Sequence, residues 1–146
     1  MRKPEFETYD QSVADGLAHA HEQDEGLPGY LGIRITDTWP GGMRADVAVR
    51  DDLLTPFGNL HGGVLAGLCD HVLGTVCYPV IPRGAWAATT EFKLNYLAPV
   101  TGGTLSAAAQ IVSLSKRTAV VQIEVTNDGR TVCLAQGTVL IMAPKQ

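Results

Sequence analysis

A glycine-rich segment, 58–63, is where the residue types of this chain first suggest chemistry. It reads Gly-Asn-Leu-His-Gly-Gly and runs directly into an apolar stretch, 64–78, that carries one acid, Asp70. The adjacent Gly62 and Gly63 allow a ligand to approach the backbone closely. If a helix begins here, its free N–H groups and the positive end of its dipole face the bound group. We therefore predict an oxyanion site for a substrate carbonyl at this junction.

Asp70 is the second candidate, because apolar residues surround it in the sequence. We predict a helix over about 62–78 that is buried on nearly every face by Val64, Leu65, Leu68, Cys69, Val72, Leu73, Val76 and Cys77. A carboxylate in such a place costs several kcal/mol unless it is paired or hydrogen-bonded, so its retention indicates a function. Two structural interpretations stay open: Gly62-Gly63 as only a tight turn, and Asp70 as the partner of a neighbouring polar group.

The spacing of these two candidates has a consequence for how they can act together. Gly62 and Asp70 are eight residues apart. At about 1.5 Å per residue this is roughly 12 Å along a helix, and the Cβ directions recover only part of it. One helix cannot bring both groups to the same carbon atom. If both act on one substrate, one subunit supplies the amide donor, another supplies the acid, and the site lies on a two-fold interface.

The remaining pattern predicts one further helix and six strands. The helix covers about 8–22, where apolar residues have helical spacing and Thr8 with Gln11 matches a capping box, and a loop follows it. Turn residues at 39–42 and at Asp128-Gly129 mark two hairpins. We predict strands at about 30–38, 42–50, 86–97, 103–114, 117–127 and 130–142. Two strands, a long helix and four strands in a meander-like order predict an α+β protein, with an antiparallel sheet wrapped around one helix.

Length and composition narrow the functional class. The 146 residues are typical of one domain, and a net charge of −4 without a basic run argues against a nucleic-acid partner. The first ten residues lack the apolar core of a signal peptide, and no run of about 18 apolar residues is free of polar interruptions. We therefore expect a cytoplasmic protein that does not use a membrane. A hydrophobic content of 45% favours self-association, and the three cysteines are expected to be buried thiols.

His61-Gly62-Gly63, followed nine residues after the histidine by Asp70 on an apolar helix, resembles a known signature. It is that of hotdog-fold acyl-CoA thioesterases of the PaaI-like, 4-hydroxybenzoyl-CoA thioesterase superfamily. The likeness extends over roughly 30–142 and includes Leu31-Gly32-Ile33 and the strand segment TTEFKLNYLAP at 89–99. It implies a hotdog domain at 30–146, with about six strands around one long central helix, after an N-terminal helix and loop at 1–29. The implied activity is hydrolysis of an aryl, short-chain or medium-chain acyl-CoA to the free acid and CoA.

The resemblance also assigns catalytic roles to individual residues. Gly62 resembles the residue whose backbone N–H contacts the thioester oxygen, and His61 supports that turn. Asp70 resembles the catalytic acid, either as general base on water or as a nucleophile that forms a mixed anhydride. Thr89 falls where related enzymes carry a Ser or Thr that positions the water. Thr55 stands where related enzymes usually have Asn, six residues before the histidine, and this departure affects how the water is oriented.

Asn59, Gly63 and Leu65 are the candidates for contact with the substrate. Asn59 lies only two residues before His61, so it does not match the family position of the Asn. The acyl group is expected in an apolar pocket that includes Leu65. The turn Ser115-Lys116-Arg117 is the candidate for the CoA phosphates, because these need cationic or N–H-rich partners; an ordinary solvated hairpin turn is the alternative.

The implied reaction needs no cofactor beyond the CoA thioester substrate. No histidine has partners at metal-ligand spacing, so no metal is predicted. A homodimer or a dimer-of-dimers tetramer is the expected assembly. Three other functions stay open: an acyl-thioester hydratase or dehydratase that uses His61, a non-catalytic acyl-CoA-binding protein, and a purely structural oligomer.

Overall fold

A computed structural model describes residues 4–20 and 25–145 of the chain. These residues form three α-helices and six strands, in the following order: α1 (Gln11–Ala20), α2 (Gly26–Leu31), β1 (Arg34–Trp39), β2 (Gly42–Ala48), α3 (Gly62–Thr75), β3 (Trp86–Tyr96), β4 (Thr104–Leu114), β5 (Thr118–Asn127) and β6 (Arg130–Met142). Single 3₁₀ turns lie at Asp51–Leu53 and Tyr78–Val80. The predicted α+β class is confirmed, with an antiparallel sheet around one long helix.

The sheet has the order β1-β2-β4-β5-β6-β3. The meander-like order predicted for the last four strands is therefore only partly right: β4, β5 and β6 are consecutive neighbours, but β3 pairs with β6 and forms the far edge. The segment 97–103 returns the chain from this edge to the middle of the sheet. Three backbone hydrogen bonds hold this segment: from Leu97 N to Val132 O at 2.8 Å, from Leu60 N to Val100 O at 2.7 Å and from Val49 N to Gly103 O at 2.9 Å. The return passes beside the start of α3, and so it helps to wall the site described below.

The packing of α3 corrects the prediction of a helix buried on nearly every face. Its predicted apolar residues are all buried, but the six that lie within the helix fall on one half of its circumference at about 100° per residue. The other half comprises small residues together with Asp70 and His71; the small residues are Gly63, Ala66, Gly67 and Gly74. Asp70 is exposed in the single chain. The helix also ends at Thr75, three residues earlier than predicted.

Close contact between α3 and the sheet depends on a glycine in β6. A Cβ at Gly137 would lie 2.5 Å from Leu73 Cδ1 and 2.7 Å from the Glu91 carbonyl oxygen, so only glycine fits between helix and edge strand. One stretch of the described chain, Gly62–Val80, is long and apolar enough to cross a membrane by length and composition alone. Most of that stretch is buried inside the fold, as expected for a core helix.

The N-terminal region differs from the sequence prediction in two places. The capping role predicted for Thr8 belongs to Asp10, whose Oδ1 accepts from the backbone N–H groups of Ser12 at 3.1 Å and Val13 at 3.2 Å, so α1 begins at Gln11. The predicted end of this helix, at 22, lies outside the described residues. Where a loop and the start of a strand were predicted, 26–31 forms the short helix α2, which Gly32 ends with φ of 70°.

Candidate active site

The start of α3 has a fixed geometry. His61 is the N-cap, and its Nδ1 accepts from the Gly63 N–H at 2.9 Å. The Val64 N–H donates to the His61 carbonyl oxygen at 2.9 Å. On the other side of the first helical peptide, the Tyr96 hydroxyl donates to the Gly62 carbonyl oxygen at 3.0 Å. The Gly62 N–H has no hydrogen-bond acceptor anywhere in 4–20 or 25–145, so it is the donor that this turn leaves for a ligand.

This free donor lies at the edge of a cleft of about 400 Å³. Residues from the loop before α3, from its first two turns, from the end of β3 and from the return segment line the cleft: Asn59, Leu60, Gly62, Leu65, Tyr96, Leu97, Ala98, Pro99 and Val100. The lining is mostly apolar, with the Asn59 amide and the Tyr96 hydroxyl as its polar side-chain groups. It can hold an apolar group whose carbonyl accepts a hydrogen bond from Gly62.

The loop before the helix shows how Thr55 and Asn59 are related. The Thr55 Oγ1 donates to the Asn59 Oδ1 at 3.0 Å, and the Thr55 N–H donates to the Asn59 carbonyl oxygen at 2.7 Å. Gly58 closes this turn with φ of 86°, a conformation that favours glycine. Asn59 lines the cleft, and Thr55 acts on it from behind by orienting the Asn59 amide.

Asp70 lies on the exposed side of α3, two turns beyond Gly62. Its carboxylate makes no hydrogen bond or ion pair within the described part of the chain, and it does not line the cleft at the helix start. At about 1.5 Å per residue, the eight residue steps from Gly62 to Asp70 separate them by roughly 12 Å. A single chain therefore presents the amide donor and the acid at two separate places.

Thr89 belongs to β3, the strand that also carries Tyr96. A bulge between Thr89 and Glu91 changes the register against β6, so that Thr89 pairs with the inward-facing Val139. Without this extra residue, Thr89 and Tyr96 would point to opposite faces of the sheet, because seven residues separate them. With it, both face the side of the sheet on which α3 packs.

The turn Ser115-Lys116-Arg117 is exposed and joins β4 to β5. Ser115 Oγ is engaged within the turn, where it accepts from the Thr118 N–H at 3.1 Å. Lys116 and Arg117 line a groove of about 420 Å³ at the end of the sheet where β3 begins. This groove and the Gly62 cleft lie at opposite ends of β3, whose ten-residue rise corresponds to roughly 33 Å.

Two of the buried thiols, those of Cys69 and Cys133, contact each other. Contact with the Cys133 thiol, together with burial, raises the pKa of Cys69, and contact with Cys69 lowers the pKa of Cys133. Burial raises the pKa of Cys77 to about 12. All three cysteines are free and buried, as predicted. His71 points to the other flank of α3, where it lines a cavity beneath α1 together with Leu17 and Ile35.

Three groups of predicted site residues therefore lie apart in one chain. Gly62, Asn59 and Leu65 meet at the cleft, with His61 and Gly63 behind it, while Asp70 and the cationic turn stand elsewhere. Sequence reasoning missed Tyr96, because its hydrogen bond to Gly62 joins two segments that lie 34 residues apart in the chain. Within the described ranges, no cluster of three or more His, Cys, Asp or Glu residues could hold a metal ion.

Comparison with known proteins gives one family match and several relatives. A family model described as "Thioesterase superfamily" matches residues 57–134. The acyl-coenzyme A thioesterase PaaI of Escherichia coli is 30% identical over 122 residues, which cover 82% of this chain and 85% of that protein. A 1,4-dihydroxy-2-naphthoyl-CoA hydrolase of Listeria monocytogenes is 27% identical over 117 residues, covering 80% of this chain and 95% of that protein.

Solved structures agree on the fold. The E. coli PaaI protein superposes with a TM-score of 0.81 at 28% identity, covering 92% of this chain and 96% of that one. A thioesterase from Haemophilus influenzae gives a TM-score of 0.83 at 23% identity, covering 89% and 92%, a likeness that concerns the fold alone. The six-stranded sheet around a central helix is thus the arrangement that these proteins share.

Proposed function

We propose, from the premise that this chain belongs to the thioesterase superfamily, that it hydrolyses aryl or short- to medium-chain acyl-CoA thioesters at a site shared between two subunits. That it is a thioester hydrolase follows from the family and from relatives named as acyl-CoA thioesterases. The acyl group and the shared site are the parts that we propose. The single observation that carries them is the free Gly62 N–H at an apolar cleft, which no carboxylate of the described residues lines.

The edge strand β3 supports a two-fold arrangement. It is 11 residues long, it is unpaired on its outer side in the single chain, and Trp86 and Tyr96 at its two ends are 47% and 56% exposed. Long exposed edges of this kind are templates for pairing with another strand. Antiparallel pairing of two β3 strands about a two-fold axis would make one continuous sheet, and it would place the small-residue faces of two α3 helices side by side.

In such pairing the two subunits run in opposite directions, so each end of one β3 lies beside the opposite end of the partner's β3. The Gly62 end of one α3 would then run toward the middle of the other, where Asp70 stands exposed. The partner's cationic turn would likewise come to the end of β3 that carries the cleft, about 33 Å from where it lies in its own chain. The groups that a single chain separates would thereby gather around one substrate, with the CoA phosphates near the partner's Lys116 and Arg117.

In the proposed reaction, the Gly62 N–H donates to the thioester oxygen and stabilises the negative charge that develops there. The carboxylate of the partner's Asp70 either removes a proton from the attacking water or attacks the carbonyl carbon itself. The C–S bond breaks, and the leaving CoA thiolate takes up a proton that the water supplies. On the general-base route the released acid carries one oxygen from water. On the nucleophilic route a water then hydrolyses the mixed anhydride, and attack at the aspartyl carbon leaves the water oxygen on Asp70 and an Asp70 oxygen in the released acid. We assign the orientation of that water to the Thr89 hydroxyl, because Thr89 faces the inner side of β3. No cofactor or metal takes part in this scheme.

The first test is release of free thiol from a panel of aryl-CoA and fatty acyl-CoA esters. We expect wild type to release CoA from at least one class, Asp70→Asn to lose this activity, and Asp37→Asn, an exposed acid on the opposite sheet edge, to retain it. Binding of the esters without release by wild type would indicate a binding protein, and formation of an enoyl product without thiol would indicate a hydratase. Labelling of the Asp70 carboxylate after a single turnover in H₂¹⁸O would establish the nucleophilic route, because only hydrolysis of an acyl-aspartyl anhydride transfers a water oxygen to that carboxylate.

A mixing experiment tests whether the site is shared. Asp70→Asn and Gly62→Ala chains each lack one half, but a mixed dimer contains one site in which both halves are intact. Random exchange of equal amounts should recover about a quarter of wild-type activity, because half of the dimers are mixed and each has one working site of two. If both groups act within the same chain, mixing will restore nothing.

A further inference from the structure

We infer that Tyr96 is a positioning residue for the oxyanion donor: its hydroxyl fixes the first peptide of α3, which keeps the Gly62 N–H directed into the cleft. This inference rests on the proposed function and adds to it a residue that acts through the backbone. The starting observation is the hydrogen bond of 3.0 Å from the Tyr96 hydroxyl to the Gly62 carbonyl oxygen. That oxygen has two lone pairs, so it can accept from Tyr96 as well as from the helix.

The peptide that joins Gly62 to Gly63 is held at both of its polar atoms. Tyr96 binds its oxygen at 3.0 Å, and His61 Nδ1 binds its N–H at 2.9 Å. Two glycines in succession have more backbone freedom than any other pair of residues. Fixing the plane of this peptide removes that freedom at the point where the preceding N–H, that of Gly62, is left without a protein acceptor.

The close approach of the ring explains why position 62 is glycine. An ideal Cβ there would lie 3.1 Å from Tyr96 Cζ and 3.2 Å from its hydroxyl oxygen, tighter than ordinary van der Waals contact. Any side chain at this position would displace the ring and lengthen the hydrogen bond. Gly62 and Tyr96 therefore depend on each other. The absence of a side chain at position 62 leaves room for the Tyr96 ring, and the Tyr96 hydroxyl fixes the orientation of the Gly62 carbonyl group.

The same ring also forms one wall of the cleft, together with Leu65 and Asn59. Its hydroxyl proton is directed to the Gly62 oxygen, so it acts on the carbonyl of a substrate only through the Gly62 backbone. A positioning role predicts a change in turnover, because misalignment of the donor weakens a contact that strengthens in the transition state. A role as a wall alone predicts a change in substrate affinity.

Tyr96→Phe keeps the ring and removes the hydroxyl. We expect kcat to fall about tenfold and KM to stay within about twofold, since the lost contact acts mainly in the transition state. Tyr30→Phe is the matched control, because Tyr30 is 58% exposed against 56% for Tyr96 and its hydroxyl donates to the Asp52 carboxylate, at 3.3 Å, rather than to the start of α3. Tyr96→Leu, which also removes the wall, should show the same loss in kcat with a raised KM.

A second readout needs no substrate. In the ¹⁵N-labelled protein, Tyr96→Phe should shift the amide resonances of Gly62 and Gly63 and accelerate their hydrogen exchange, with Tyr30→Phe leaving both unchanged. Unchanged amides and kcat in Tyr96→Phe would overturn the inference, and so would a rise in KM alone. If wild type releases thiol from no ester, the proposed hydrolysis fails, whereas the amide measurement still decides whether Tyr96 orders the turn.

Discussion

Replacement of Gly62 by alanine should change the catalytic activity strongly and the stability of the protein only slightly. In a helix, Gly→Ala gains about 0.5–1 kcal/mol of stability from the backbone. Here the new Cβ would lie 3.1 Å from Tyr96 Cζ, so the ring must shift by a few tenths of an ångström. Weakening the Tyr96 hydrogen bond costs about 0.5–1.5 kcal/mol, which roughly cancels the gain. We therefore expect the free energy of unfolding to change by less than about 1 kcal/mol.

Activity should respond far more strongly than stability. Misplacing a reacting group by about 1 Å costs on the order of a hundredfold in rate, so a shift of part of that distance predicts a loss of about tenfold to a hundredfold in kcat/KM. This corresponds to roughly 1.4–2.7 kcal/mol of lost transition-state stabilisation. The added methyl group also narrows the cleft beside the Gly62 N–H.

Gly16→Ala is the matched control for this experiment. Gly16 lies inside α1, and a Cβ there would meet nothing within 4 Å. The Gly16→Ala variant should have a slightly higher melting temperature than wild type and unchanged thiol release. Thiol release and thermal unfolding would be measured on both variants and on wild type. Wild-type kcat/KM in Gly62→Ala would refute the assignment of the carbonyl site to the start of α3.

Three further predictions concern His61, Asp10 and Cys77. His61→Ala should lower the free energy of unfolding by about 1 kcal/mol through loss of the N-cap, whereas His61→Asn, which can still accept from Gly63 N–H, should restore most of it in denaturant titrations. Hydrogen bonds from Ser12 and then Arg83 lower the pKa of Asp10 from 3.8 to about 2. The stability that this cap gives is therefore present above about pH 4, and it is lost as the pH falls from about 4 to about 2. Asp10→Asn should remove this part of the pH dependence of α1 unfolding. Because burial raises the pKa of Cys77 to about 12, this thiol should react with a disulfide reagent at pH 8 only after unfolding, and rapid labelling of Cys77 in the native protein would contradict the packing described.

The sequence was most informative where local chemistry and global fold agree. Asp128-Gly129 predicts a tight hairpin, and both residues have positive φ, 49° and 85°, as that turn requires. The alternation in β5 correctly predicts which residues face the core, because a one-sided antiparallel sheet leaves a period of two. The start of α3 at Gly62 follows from His61 as a cap and from the glycines after it.

Other features depend on long-range contacts that no local pattern records. The position of β3 at the sheet edge is determined by pairing with β6, about 40 residues later in the chain, so its neighbour along the sequence was a poor guide. The exposure of Asp70 was missed because apolar residues near it in sequence were counted without their angles around the helix. The helix α2 is too short for periodicity to reveal, and its Gly and Pro residues are typical of a loop.

The extra residue in β3 has a consequence for engineering this chain. Thr90 is the unpaired member of the bulge, and its hydroxyl donates to the Thr138 carbonyl oxygen at 3.1 Å. Deleting Thr90 would turn the strand segment before it by half a pleat, so that Thr89 would face outward while Tyr96 stayed in place. Surface loops usually tolerate insertions and deletions, but a change of one residue within β3 would turn the side chains of one part of the strand to the opposite face of the sheet. A chimera that takes β3 from a related protein therefore has to keep the number of residues in the strand as well as their types.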